Sequence, residues 1–93
     1  MRGIREQYKA LFKKTFHDRL IKTRAKLKVT QAKMAELLFI DDRSYYELEK
    51  GKNSCCALTL VFFLMYCCTK EDREEFFTEL KQAFQEAESD FIA

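Results

Sequence analysis

Residues 30–51 read Thr30-Gln-Ala-Lys-Met-Ala-Glu-Leu-Leu-Phe-Ile-Asp-Asp-Arg-Ser-Tyr-Tyr-Glu-Leu-Glu-Lys-Gly51, a run with two helix starts and one helix stop. The Thr30 hydroxyl can accept from a free N–H in the first turn of a helix over residues 31–38. Gln31, Met34, Ala35 and Leu38 share one face of that helix. After a short turn over 38–41, Asp41 is placed to cap a third helix, expected over 42–50, and Asp42 sits favourably against its dipole. Gly51 can end that helix in the left-handed conformation. Met34, Ala35 and Leu38 are then expected to pack on Tyr45 and Leu48, with Ala35 small where the two axes cross. The outer face of residues 42–50 presents Asp42, Arg43, Tyr46, Glu47 and Lys50.

The rest of the chain also reads as helix. It has no Pro, and Gly occurs only at Gly3 and Gly51, so helix breakers are scarce and Asn-Gly hairpin turns are absent. A first helix is expected over about 4–27, either unbroken or broken near Thr15. Its apolar series is Ile4, Tyr8, Leu11, Phe12, Phe16, Leu20, Thr23 and Leu27. A fourth helix is expected over 57–67 and a fifth over 70–88, where Thr69 and Asp72 form a capping box with Asp in the usual Glu position. No repeat, low-complexity segment or linker interrupts the pattern. The expectation is one all-α, five-helix domain over residues 1–93 with a core over 16–67. A chain of this size buries only about 60–65 % of its unfolded surface, so a second subunit could cover apolar residue left over.

The net charge of +2 conceals a split. Residues 1–52 hold fourteen Lys/Arg against seven Asp/Glu, whereas residues 53–93 hold three against eight. A basic half can meet polyanionic phosphate and an acidic half would be turned from it; the plainer alternative is two solvated helix faces. Glu6, Lys9, Lys13 and Lys14 interrupt any apolar stretch near the N-terminus, so no signal peptide is expected. The longest apolar run, residues 57–68, spans as a helix only about 18 Å of a ~30 Å bilayer core. The expected setting is the cytoplasm, with no membrane partner.

Residues 16–67 resemble the helix-turn-helix of the phage repressor and Cro family, including the XRE-like bacterial regulators. The resemblance rests on Phe16, Leu20, Arg24, Thr30, Gln31, Ala35, Leu38, Ile40, Leu48, Glu49 and Gly51. It implies a repressor-like fold and a sequence-specific regulator that binds double-stranded DNA as a homodimer, with the helix over 42–50 in the major groove. The DNA-binding set it implies is Thr30, Gln31, Asp42, Arg43, Tyr46, Glu47, Lys50, Lys52 and Asn53. Within that set Gln31 would bond a phosphate and brace the recognition helix. Asp42, Arg43 and Glu47 stand where base edges are read, and Lys50, Lys52 and Asn53 would hold the backbone. Arg24 and Glu49 occupy positions that often form a structural ion pair. Two positions depart from the family, Phe39 in its turn and Lys28 after its first helix, where Gly is usual. Phe39 must accept a positive φ or force another turn. Asp42 and Glu47 put carboxylates on the reading face; with the acidic tail they favour a rival, a protein-interaction module on a repurposed scaffold that binds a partner through helices four and five.

Other residues are read more plainly. His17, the sole histidine, is expected at the surface. Cys55-Cys56 and Cys67-Cys68 flank the fourth helix, whose ends would lie about 15–18 Å apart, too far for a disulfide or one zinc to join the pairs. They are expected to be reduced and structural. Leu58, Phe62 and Met65 are expected outward on helix four, with Leu60, Val61, Phe63 and Leu64 inward. Phe77, Leu80, Phe84, Ala87 and Phe91 form an a/d-type stripe on helix five, for packing on its own domain or for a dimer seam. No nucleophile–base pair or ligand set can be assembled, so neither catalysis, metal, cofactor nor small-molecule substrate is expected.

Overall fold

In a computed structural model describing residues 2–52 and 55–92, with side chains of 5–52 and 55–89, all regular structure is helical. Helix α1, Arg2–Leu27, is continuous through Thr15. It stops where Lys28 turns left-handed at φ 58°, with the Lys28 N–H donating to the Ala25 carbonyl at 3.2 Å. Helix α2, Gln31–Leu38, starts on the Thr30 hydroxyl, which accepts from the Lys33 N–H at 3.1 Å. Phe39 ends it by accepting the positive φ, at 60°, so that its N–H reaches the Glu36 carbonyl and the Ile40 N–H reaches that of Ala35. Helix α3, Asp42–Glu49, starts on Asp41, whose carboxylate accepts from the Ser44 N–H at 2.7 Å. It ends one residue short of the expected 50, with Lys50 as its cap and Gly51 left-handed at φ 73°.

Helix α4, Ala57–Phe62, passes into a π-helical turn, Phe63–Cys67, rather than continuing as α-helix over 57–67. Helix α5, Lys70–Ile92, runs four residues past the expected 88. No Gly or Pro lies beyond Lys70 to stop it. Its start is the expected reciprocal box: the Thr69 N–H donates to Asp72 at 3.0 Å and the Asp72 N–H to the Thr69 hydroxyl at 3.1 Å. No helix among the described residues is long and apolar enough to cross a membrane.

One buried cluster joins the elements. Phe16 and Leu20 of α1 meet Met34, Ala35 and Leu38 of α2, Tyr45 and Leu48 of α3, Phe63 and Cys67 of the π turn, and Phe76 and Leu80 of α5. The Phe16 ring lies 5.2 Å from Phe63 and 6.2 Å from Phe76 between centroids. The long helices α1 and α5 lie along one another, and their seam is partly ionic. Arg19, buried, pairs with Glu75 at 3.2 Å and with Glu79; Lys26 pairs with Asp72 at 2.8 Å; the Tyr8 hydroxyl donates to Glu88 at 2.7 Å. The acidic half therefore spends several carboxylates on cations of the basic half. It is not simply turned away.

Two expected faces are corrected. On α5 the buried positions are Phe76, Leu80 and Ala87, while Phe77 is 53 % exposed. Phe76 lies one helical turn before Leu80 on the face that α1 covers, and Phe77 is rotated off it. The stripe is thus used within the chain; the side chain of Phe91 lies outside the described residues. On α4 Val61 is exposed with Leu58 and Met65, rather than inward, because 58, 61 and 65 share one face. Phe62, expected outward, is half-buried against Phe39 and Tyr66, at 5.0 and 5.9 Å between ring centroids.

Candidate nucleic-acid interface

The α2–α3 pair is held by a polar hub as well as by the core. Glu49, at the last position of α3, accepts from Arg24 Nε at 2.7 Å and Nη2 at 3.2 Å, from Gln31 Nε2 at 3.0 Å and from the Tyr45 hydroxyl. Burial alone would push the Glu49 carboxyl up, but the donors of Arg24, Tyr45 and Gln31 together hold it below the usual carboxylate range. Tyr45 is displaced oppositely: burial first, then the bond to Glu49, pushes its hydroxyl well above the ordinary tyrosine value. The expected Arg24–Glu49 pair is therefore present, in forked form. Gln31 commits one amide hydrogen to this hub, so that it braces α3 while the rest of the half-buried side chain stays at the N-terminus of α2.

The outer face of α3 stays open. Asp42, Arg43, Tyr46 and Lys50 are exposed and Glu47 is half-buried. The Arg43 side chain is 89 % exposed, and its Nε lies 3.4 Å from a Glu47 oxygen one turn on. The Lys50 ammonium stands 5.1 Å from the centre of the Tyr46 ring, a cation–π distance. These five residues form one surface, whereas Gln31 is bonded to the buried Glu49 on the inner side of α3. Thr30 is exposed, with its hydroxyl engaged as the α2 cap. Lys52 is exposed, and its carbonyl accepts from Lys13 Nζ at 3.1 Å. Asn53 lies outside the described residues. Chemically the surface offers one guanidinium fork, one ammonium, one phenol and two carboxylates.

Sequence reasoning missed what α1 adds. Lys13, Lys14 and His17 line a cleft of about 240 Å³ with Ala10, Lys50 and Gly51. His17 is not simply a surface residue. It is half-buried, and its Nδ1 is buried without a hydrogen-bond partner. The legible signal was spacing: 10, 14 and 17, and 13 and 17, fall on one side of a helix. A second feature passed over is the aromatic cluster of Phe39, Phe62 and Tyr66, in which Phe39 is 71 % exposed.

The four cysteines are free thiols. Burial pushes Cys55 up to about 11 and Cys68 up to about 12, whereas a hydrogen bond with Thr59 lowers the exposed Cys56. Among the described residues no group of three or more His, Cys, Asp or Glu is arranged to hold a metal ion. Comparison of the chain with protein-family models, with characterised proteins and with solved structures finds no match.

Proposed function

We propose that this chain is a non-catalytic, sequence-specific regulator that binds double-stranded DNA as a homodimer, with α3 in the major groove on a scaffold of the phage repressor and Cro type. The observation that carries the reading is the combination at α3. Its inner face is locked by Tyr45, Leu48 and the Glu49 hub, while Asp42, Arg43, Tyr46 and Lys50 remain open to solvent. A rigid helix exposed along one side suits a groove about 12 Å wide. Arg43 is the candidate for a bidentate bond to guanine O6 and N7, and Lys50 and Lys52 for phosphates. Asp42 and Glu47 can accept from cytosine N4 and are repelled by phosphates, which makes them candidates for selecting among sequences.

A second copy is the occupant we assign to the apolar face of α4. Leu58, Val61, Met65, Tyr66 and Phe39 are each exposed by 45 % or more. Residues 53–69 contain no charged side chain, so two copies of that stretch meet without ionic repulsion. A two-fold dimer would present two α3 helices to half-sites about 34–36 Å apart.

The rival, a protein-interaction module, draws on the two α3 carboxylates and on the same apolar face. Selection of bound fragments from random duplex DNA separates the two. The DNA reading expects enrichment of a two-fold symmetric site, with affinity that falls steeply as salt rises. Recovery of unenriched fragments, bound no better than by a neutral carrier protein, overturns it and leaves the rival.

A further inference from the structure

The cleft between α1 and the end of α3 has the composition of an anion seat. Lys13 and Lys14 of α1 and Lys50 after α3 supply three ammonium groups, and no carboxylate lines it. Lys13 reaches across to the Lys52 carbonyl at 3.1 Å, which ties α1 to the segment leaving α3 and uses one of its three N–H donors. Lys14 makes no hydrogen bond or ion pair among the described residues, and Lys50 is held over the Tyr46 ring. His17 also lines the cleft, and its Nδ1 is buried and without a partner. A side chain on Gly51 would bring its first carbon to 3.9 Å from that nitrogen, an ordinary contact distance, so Gly51 lies directly beside the imidazole. The Asp18 carboxylate faces the other ring nitrogen, 3.9 Å from Nε2.

Three like charges gathered at one cleft repel one another, and one anion bound among them offsets that repulsion. We propose that Lys13, Lys14 and Lys50 seat one backbone phosphodiester of the bound duplex next to His17, so that α1 grips the strand beside the groove α3 enters. This rests on the DNA reading above. It extends the interface to α1, from which the DNA-binding set implied by the resemblance takes no residue. The cleft suits a phosphate group and not a base: no Phe, Tyr or Trp lines it to serve as a stacking floor.

The test measures affinity for the selected duplex and for a scrambled one from 50 to 300 mM salt, with the full chain. The Lys13→Ala/Lys14→Ala variant is expected to bind both duplexes about tenfold more weakly at low salt, with the salt slope reduced by about one per protomer. Lys14→Glu is expected to do the same without touching the Lys13–Lys52 contact. Unchanged slopes in both variants, with wild-type binding intact, overturn the seat and leave the DNA reading standing. If the wild-type chain retains no duplex, both fall together. Inorganic phosphate, followed by the His17 ring resonances, supplies the remaining arm. Saturable shifts in wild type that the variants lose, together with reduced slopes, support the seat. The same shifts with unchanged slopes assign the cleft to free phosphate and overturn its role on DNA.

Discussion

Arg24 holds Glu49 through two nitrogens, Nε at 2.7 Å and Nη2 at 3.2 Å, and so joins the first helix to the last residue of the third. Glu49 is buried, so removing the fork leaves a charge in poor solvent. Tyr45 and Gln31 still donate to it, which limits the damage. Because Arg24 is itself partly exposed, Arg24→Ala is expected to cost about 2 kcal/mol, below the ~3–5 kcal/mol of breaking a fully buried pair, read as a lower urea midpoint with an unchanged slope. A midpoint equal to wild type would show that the hub is held by Tyr45 and Gln31 alone.

Phe76 and Phe77 are neighbours with opposite fates. Phe76 is fully buried against α1 and Phe77 is half in solvent. Phe76→Ala is expected to cost about 3–5 kcal/mol through lost burial and a cavity; Phe77→Ala is expected to cost under about 1 kcal/mol. Paired thermal melts decide it, and equal losses would place both rings in the core.

That pair marks how much could be read from sequence. The helices at 31–38 and 42–49 were legible because Thr30, Asp41 and Gly51 punctuate them chemically, and the capping box at Thr69 was legible for the same reason. Both were local signals. On α5 the expected stripe held at Leu80, Phe84 and Ala87 and failed at Phe77, whose place Phe76 takes; the face of α4 was less legible, because apolar residues crowd all its sides and periodicity then picks no single one. The partner that covers a helix decides, and covering is a long-range fact. The π turn at Phe63–Cys67, which follows α4, gave no signal in the sequence either. At the candidate site the outer residues of α3 were legible from spacing alone. The cleft with α1 was not, since Lys13 and Gly51 are distant in sequence and meet only when α1 crosses α3.

Lys28 holds φ at 58° with its side chain in water. A left-handed backbone costs a residue with a Cβ about 1–2 kcal/mol, and the entropy of a new glycine in the unfolded chain returns about 0.4–1 kcal/mol of that. Lys28→Gly is therefore expected to stabilise by about 0.5–1 kcal/mol. Phe39→Gly relieves the same strain, at φ 60°, but loses ring contacts with Phe62 and Tyr66 at 5.0 and 6.3 Å. It should gain less than Lys28→Gly and should weaken self-association, measured by sedimentation. A stronger dimer in Phe39→Gly would remove this ring from the interface.

Asp72 titrates at about 2, chiefly because Lys26 donates to it at 2.8 Å and next because the Thr69 N–H does. An unfolded aspartate titrates near ~3.9. A depressed folded value means that the contribution is fully present above about pH 4 and is lost as pH falls toward 2. Asp72→Asn keeps an oxygen for the cap and loses the ion pair. Because Lys26 is mostly exposed, the expected cost at pH 7 is only about 1 kcal/mol. The difference between variant and wild type should shrink as pH drops from 4 to 2, with a residual acid slope from Glu49, whose carboxyl is also held low. Unfolding curves that keep a constant separation down to pH 2 would contradict the assignment.

Arg43 and Glu47 face each other across one turn of α3, at 3.4 Å, with Arg43 almost wholly in solvent. In the free protein the pair is worth little, so its meaning lies in what each does near DNA. If Arg43 reads guanine, Arg43→Ala costs about 1–3 kcal/mol on the selected duplex and little on a scrambled one, since the loss is of base discrimination. Glu47→Gln removes a charge that phosphates repel and frees the guanidinium. It is expected to tighten binding to the scrambled duplex severalfold and so to narrow the gap between the two. Opposite signs for the two variants, measured side by side at one salt concentration, are what an α3 lying in the groove requires. Equal, sequence-blind losses in both would mean that this helix touches the backbone alone.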